Sequence, residues 1–229
     1  MDLIHLLSHS TIAENLYSHL SFESAIDLFI ASRSKCIPYP IRIDDRDHQI
    51  SFLNRVDSET INTYNYIKLY GSRGSLVLAA QQNQLQIVKV LGEHGVNIDG
   101  TDRRGYTALM EAAQNGWKEM IQLLLDFSAN PNVGGDWRNT ALMWASNNGH
   151  LEIVELLIQN FAEVDLTTQF GYTALMYAVR GGHFEIVKKL LENGAKSRRT
   201  NIHGNSALTL AITSHQMNIV QLISDFEDF

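Results

Sequence analysis

The chain of 229 residues has one cysteine and three prolines. Cys36 alone can close no internal disulfide. A disulfide-stapled fold is therefore out, and a reducing compartment such as the cytoplasm is expected. Low proline, with 15 glycines, leaves no collagen-like or low-complexity reading. No run approaches the roughly 20 apolar residues of a membrane-spanning helix, so no membrane insertion is expected. The opening "MDLIHLLSHS" has only a short apolar stretch and no basic start, unlike a secretory signal. A basic surplus is missing too, since the formal net charge is -7. The pairs Arg103-Arg104, Lys188-Lys189 and Arg198-Arg199 lie far apart in the sequence, which argues against nucleic acid as the partner. Phosphate-binding glycine loops, metal-ligand spacings and paired catalytic carboxylates are also absent from the second part of the chain. Neither a cofactor nor a metal is expected.

What is present is a repeat. "GYTALMEAAQNG" (Gly105 to Gly116) returns as "GYTALMYAVRGG" (Gly171 to Gly182). Thr107, Thr140, Thr173 and Ser206 stand 33 residues apart. One step back lands on Gly74, in a weaker copy. Each hydroxyl residue is placed to cap a short helix. Small residues follow (Ala112-Ala113, Ala145-Ser146, Ala178-Val179) or end the series (Ala211-Ile212), and would let that helix lie close to its neighbours. Gly116, Gly149 and Gly182 then break the chain. A second helix is predicted in "LEIVELLI" and "FEIVKKLL", where apolar residues recur at three and four. A helix pair this short buries its apolar face only by stacking on copies of itself.

These features resemble the ankyrin repeat family. The period fits, and the family's T-P-L-H-x-A element stands here as T-A-L-M-x-A. "GHLEIVELLI" and "GGHFEIVKKLLENGA" are similar to the family's second helix and loop. The resemblance covers about 160 residues and implies an all-α solenoid of five repeats. Their approximate spans are 69–101, 102–134, 135–167, 168–200 and 201–229 within a domain at 66–229. Ala108, Ala141 and Ala174 replace the family's proline, and Met110, Met143 and Met176 its histidine. The methionines are expected to join repeats by packing. His150 and His183 are read as making hydrogen bonds local to their turns. The end "SDFEDF" (Ser224 to Phe229) is expected to fray.

Residues 1–65 fall outside the register and read as a helical extension that caps the first repeat. Thr11 and Glu14 form a possible capping box. "NLYSHLSFESAIDLFIASR" (Asn15 to Arg33) is faintly similar to an F-box, which would imply a ubiquitin-ligase adaptor. A third reading is a thiol enzyme using Cys36 with His5, His9 or His48.

The resemblance implies a non-enzymatic scaffold or adaptor that grips another protein on the concave face of its stack. A monomer is expected. The family occurs in eukaryotic regulators and in proteins that host-associated bacteria deliver into cells, and both sources stay open. Carried over in register, the variable positions are Arg103, Arg104, Tyr106, Glu111, Gln114 and Asn115 in repeat two. Repeat three contributes Asp136, Trp137, Asn139, Trp144, Asn147 and Asn148. Repeat four contributes Gln169, Phe170, Tyr172, Tyr177 and Arg180, and repeat five Ile202, His203 and Asn205. The set is rich in rings and arginine, the residue types of interface hot spots. Two readings compete for the rings: they pack between adjacent turns, or they form a binding surface centred on Tyr106, Trp137, Trp144, Phe170, Tyr172 and Tyr177.

Overall fold

A hydroxyl group starts each first helix. Thr107, Thr140 and Thr173 have extended backbone, and their Oγ1 atoms accept the N–H of Met110, Met143 and Met176. Ser206 does the same for Thr209 and completes a capping box with it. Glycine ends the first three of these helices. Gly116, Gly149 and Gly182 adopt left-handed backbone, and their N–H groups close on Ala112, Ala145 and Ala178.

The computed structural model describes residues 76–93 and 96–227. Helical residues 76–81 form α1, followed by α2 (Leu85–Glu93). Four helix pairs follow. They are α3 (Ala108–Asn115) with α4 (Lys118–Asp126), and α5 (Ala141–Asn148) with α6 (Leu151–Gln159). Next come α7 (Ala174–Gly181) with α8 (Phe184–Glu192), and α9 (Ala207–Thr213) with α10 (Met217–Glu227). First helices pack on first helices in the order α3, α5, α7, α9. Second helices pack on second helices in the order α2, α4, α6, α8, α10. Among the described residues there is no strand, only the isolated bridges Thr101–Thr107 and Thr200–Ser206. The described residues form an all-α stack, as the repeat pattern requires.

The core is continuous along the stack. Ala112, Ala113, Ala145, Ser146, Ala178 and Val179 are buried where first helices meet, and their small or compact side chains allow the close approach. Met110, Met143 and Met176 are buried as well, and Met110 Sδ lies beside Gly135 of the next repeat. Ile153, Val154, Leu157 and Ile186, Val187, Leu190 bury the stripes of α6 and α8. Each such side chain contributes roughly 1.5–3 kcal/mol on leaving water.

Two expectations are corrected. The nitrogen Nε2 of His150 lies 3.2 Å from the Gln114 carbonyl oxygen, and that of His183 lies 3.1 Å from that of Asn147. These contacts run to the preceding repeat rather than within the turn. Both rings sit beside the C-cap glycine of that repeat: a Cβ on Gly149 would lie 2.7 Å from His183 Cε1. Ile212 stands in register with buried Ala113, Ser146 and Val179 but is 48% exposed, because no described helix follows to cover it. In the acidic end, Ser224 to Glu227 belong to α10, and the last two residues lie outside the described ones.

A further set of bridges runs between the loops. Asp99 Oδ1 accepts the N–H of Asn130, Asn132 Oδ1 that of Glu163, and Asp165 Oδ1 that of Lys196. The extension at 1–65, its capping box, its F-box-like stretch, the Cys36 set and Gly74 of the first repeat all lie outside the described residues.

Candidate protein-binding surface

The turns before the first helices share one frame. The N–H of Asp102, Gly135, Thr168 and Asn201 donates to the carbonyl of Tyr106, Asn139, Tyr172 and Asn205, at 2.9 to 3.0 Å. In three turns the side chain of the first residue also accepts two N–H groups: Asp102 from Arg104 and Tyr106, Thr168 from Phe170 and Tyr172, Asn201 from His203 and Asn205. Gly135 has no side chain to do this. The same turn differs at its fourth residue, where Gly105, Gly171 and Gly204 have positive φ. Arg138 fills that place with φ 59°. Left-handed backbone is costly for a residue with a Cβ, by about 1 kcal/mol or more.

Consecutive tips are tied together. Gln169 N–H donates to the Trp137 carbonyl and Ile202 N–H to the Phe170 carbonyl, each at 3.1 Å. This brings Trp137 and Phe170 into a stack, with centroids 5.7 Å apart and planes 19° apart. Both remain exposed, Trp137 by 52%, and Ile202 continues the apolar edge.

Deeper along the same side, two clusters form. In the first, Arg104 Nε donates to Asp102 Oδ2 at 2.9 Å, and its Nη2 pairs with Glu111 Oε1. The guanidinium lies 4.8 Å from the centroid of Tyr106, which packs against Trp144 at 5.5 Å. Burial alone would raise the Asp102 carboxyl, but the N–H of Tyr106 and the Arg104 guanidinium outweigh it and hold the group below its ordinary value. Burial pushes Glu111 up, with only partial relief from Arg104. Glu111 was expected on an exposed position of its helix. It is buried instead, because the Arg104 fork folds over it.

In the second cluster, the Tyr177 hydroxyl donates to Asn139 Oδ1 at 3.4 Å, and Tyr177 packs on Tyr172 at 5.5 Å. Arg180 lies over both rings, at 5.6 Å and 5.9 Å. Burial raises the Tyr177 hydroxyl above its usual value, and Arg180 works against that rise. Trp144 and Tyr177 are half-buried rather than free.

The packing reading of the rings is seen in two pairs that span adjacent repeats, Tyr106 with Trp144 and Trp137 with Phe170. The third pair, Tyr172 with Tyr177, lies within one repeat, and Trp137 and Phe170 stay exposed at the tips. Arg103, Asp136, Gln169 and His203 remain exposed at the tips with no ring partner. Asn147 is drawn into the bridge to His183 through its backbone, and its side chain donates to Asn148. Asn205 takes part in its own turn. Arg138 was missed as a surface residue, although the 33-residue register placed it opposite three glycines.

Among the described residues no helix is long and apolar enough to cross a membrane. No group of three or more His, Cys, Asp or Glu among them is placed to hold a metal ion.

Comparison with known proteins gives a family. The model for ankyrin repeats (three copies) matches residues 76–168 and again 142–228. No curated protein matches the chain. Ankyrin repeats generally mediate protein–protein interaction and are typically non-enzymatic. Taken with the capped helix pairs and their 33-residue spacing, the match places the chain in the ankyrin repeat family.

Proposed function

We propose that the chain is a non-catalytic scaffold or adaptor. It holds a partner protein on the side formed by the turns and first helices, the concave side in stacks of this kind. The domain at 66–229 provides the grip.

One observation carries this reading. Trp137 and Phe170 stack on each other yet stay exposed at consecutive tips. Exposed rings lose apolar burial that the fold does not recover, at roughly 25 cal/mol per Å². Large aromatic side chains on a rigid frame are the usual anchors of protein interfaces. Here consecutive tips are joined by the backbone bond between Gln169 and Trp137.

The test replaces both tips, Trp137→Ala with Phe170→Ala, and compares affinity capture from a cell lysate with that of the wild-type chain. The expected result is loss of the captured protein with little change in melting temperature. Retention of every captured protein by the double variant would overturn the reading.

A further inference from the structure

The charges on this side are not all alike. Arg104 is held by Asp102 and Glu111. Arg180 is exposed in the last turn of α7, with its guanidinium over two tyrosine rings; among the described residues no carboxylate pairs with it. The turns and first helices at 134–149, 167–182 and 200–215 contain just one acid, Asp136. That residue lies against Gly105 of the preceding repeat, where a Cβ would meet Asp136 Oδ1. On a chain of net charge -7, this half of the face therefore carries two arginines, Arg138 and Arg180, against one acid.

The placement of Arg180 has chemical consequences. Its position over the faces of Tyr172 and Tyr177 limits how the guanidinium can turn, so less freedom is lost when it binds. A planar fork of this kind takes a carboxylate through two parallel hydrogen bonds. The rings displace water on one side and strengthen that contact. Tyr172 follows Phe170 by two residues in the same turn, and Tyr177 is bonded to Asn139, which follows Trp137 by two. The apolar tips and the guanidinium thus belong to one wall.

We propose that this wall takes an extended acidic segment of the partner protein. The segment sets a carboxylate side chain on Arg180 and an apolar side chain against Trp137 and Phe170. This rests on the partner-binding reading above and adds the chemistry of the ligand to it.

Random-peptide phage display against the full chain supplies the ligand for the test. The leading peptide is then made with a fluorescent label and titrated by anisotropy. Selected peptides should share an Asp or Glu close to an apolar residue. Arg180→Gln should weaken the labelled peptide about tenfold or more, the loss expected for one charge-assisted contact. Lys188→Gln, which removes an equal charge from the exposed side of α8, should not. Arg180→Glu should prefer the peptide with its acid changed to Lys. Peptides that need Trp137 but carry no acid, or an affinity unmoved by Arg180→Gln, overturn the inference and leave the partner-binding reading standing. Failure to select any peptide that depends on Trp137 or Phe170 overturns both.

Discussion

Trp137 and Phe170 are 33 residues apart in sequence and 5.7 Å apart in space, ring on ring. Their backbones are joined by the Gln169 N–H to Trp137 carbonyl bond. The repeat period is thus converted directly into an edge of exposed aromatic surface. The stack positions the rings, and the turns keep them out of the core.

Phe161 is in left-handed backbone at φ 66° and is 87% exposed. Gly194 holds the same place one repeat later. Phe161→Gly should therefore stabilise the chain by about 1 kcal/mol, since backbone strain is relieved and almost no buried surface is lost. The melting temperature should rise by about 2–4 °C. Thermal unfolding followed by circular dichroism measures this.

The bridging histidines give a coupled pair. His183→Ala should cost about 1 kcal/mol by removing the bond to the Asn147 carbonyl. Gly149→Ala should cost more, because φ is 81° and the new Cβ would press on the His183 ring. The double variant should be less destabilised than the sum of the two, since the clash is gone. Chemical denaturation of the four chains gives the coupling energy.

The two acids that share Arg104 should respond to pH in opposite ways. Asp102 has a lowered pKa in the fold. Its stabilisation is present above its ordinary value of 3.8 and is lost as pH falls through the folded value. Glu111 has a raised pKa. The folded chain holds its proton more tightly than the unfolded one, so stability falls as pH rises from 4.5 through the folded value. The advantage of wild type over Asp102→Asn should therefore shrink on acidification, while Glu111→Gln should gain on wild type as pH rises above 4.5. Melting temperatures of the three chains across this range test the sign.

The sequence shows the fold wherever a residue acts on its own turn. A threonine before the alanine run caps the helix it starts, and Gly116 ends that helix, because both effects are local. The same register that aligns the threonines also aligns Arg138 with three glycines, so that strained turn was open to view. Contacts between repeats were harder to read. The family pattern puts a histidine after glycine, but only stacking shows that the ring of His183 reaches the carbonyl of Asn147. Glu111 misled for a related reason. Its position on α3 faces outward by helical period, yet Arg104 from the preceding turn covers it. Long side chains can bury a site that backbone geometry leaves open. The exposed tips were legible because turn residues have little else to pack against.

The most direct measurement is photocrosslinking with a photoreactive phenylalanine analogue in place of Phe170 or, on the exposed surface of α6, in place of Gln159. With a partner gripped by the turns and first helices, the chain altered at Phe170 yields a discrete crosslinked species in lysate and the chain altered at Gln159 does not. Crosslinking from Gln159 alone, or equal crosslinking from both, would contradict a partner held on the ring-lined side.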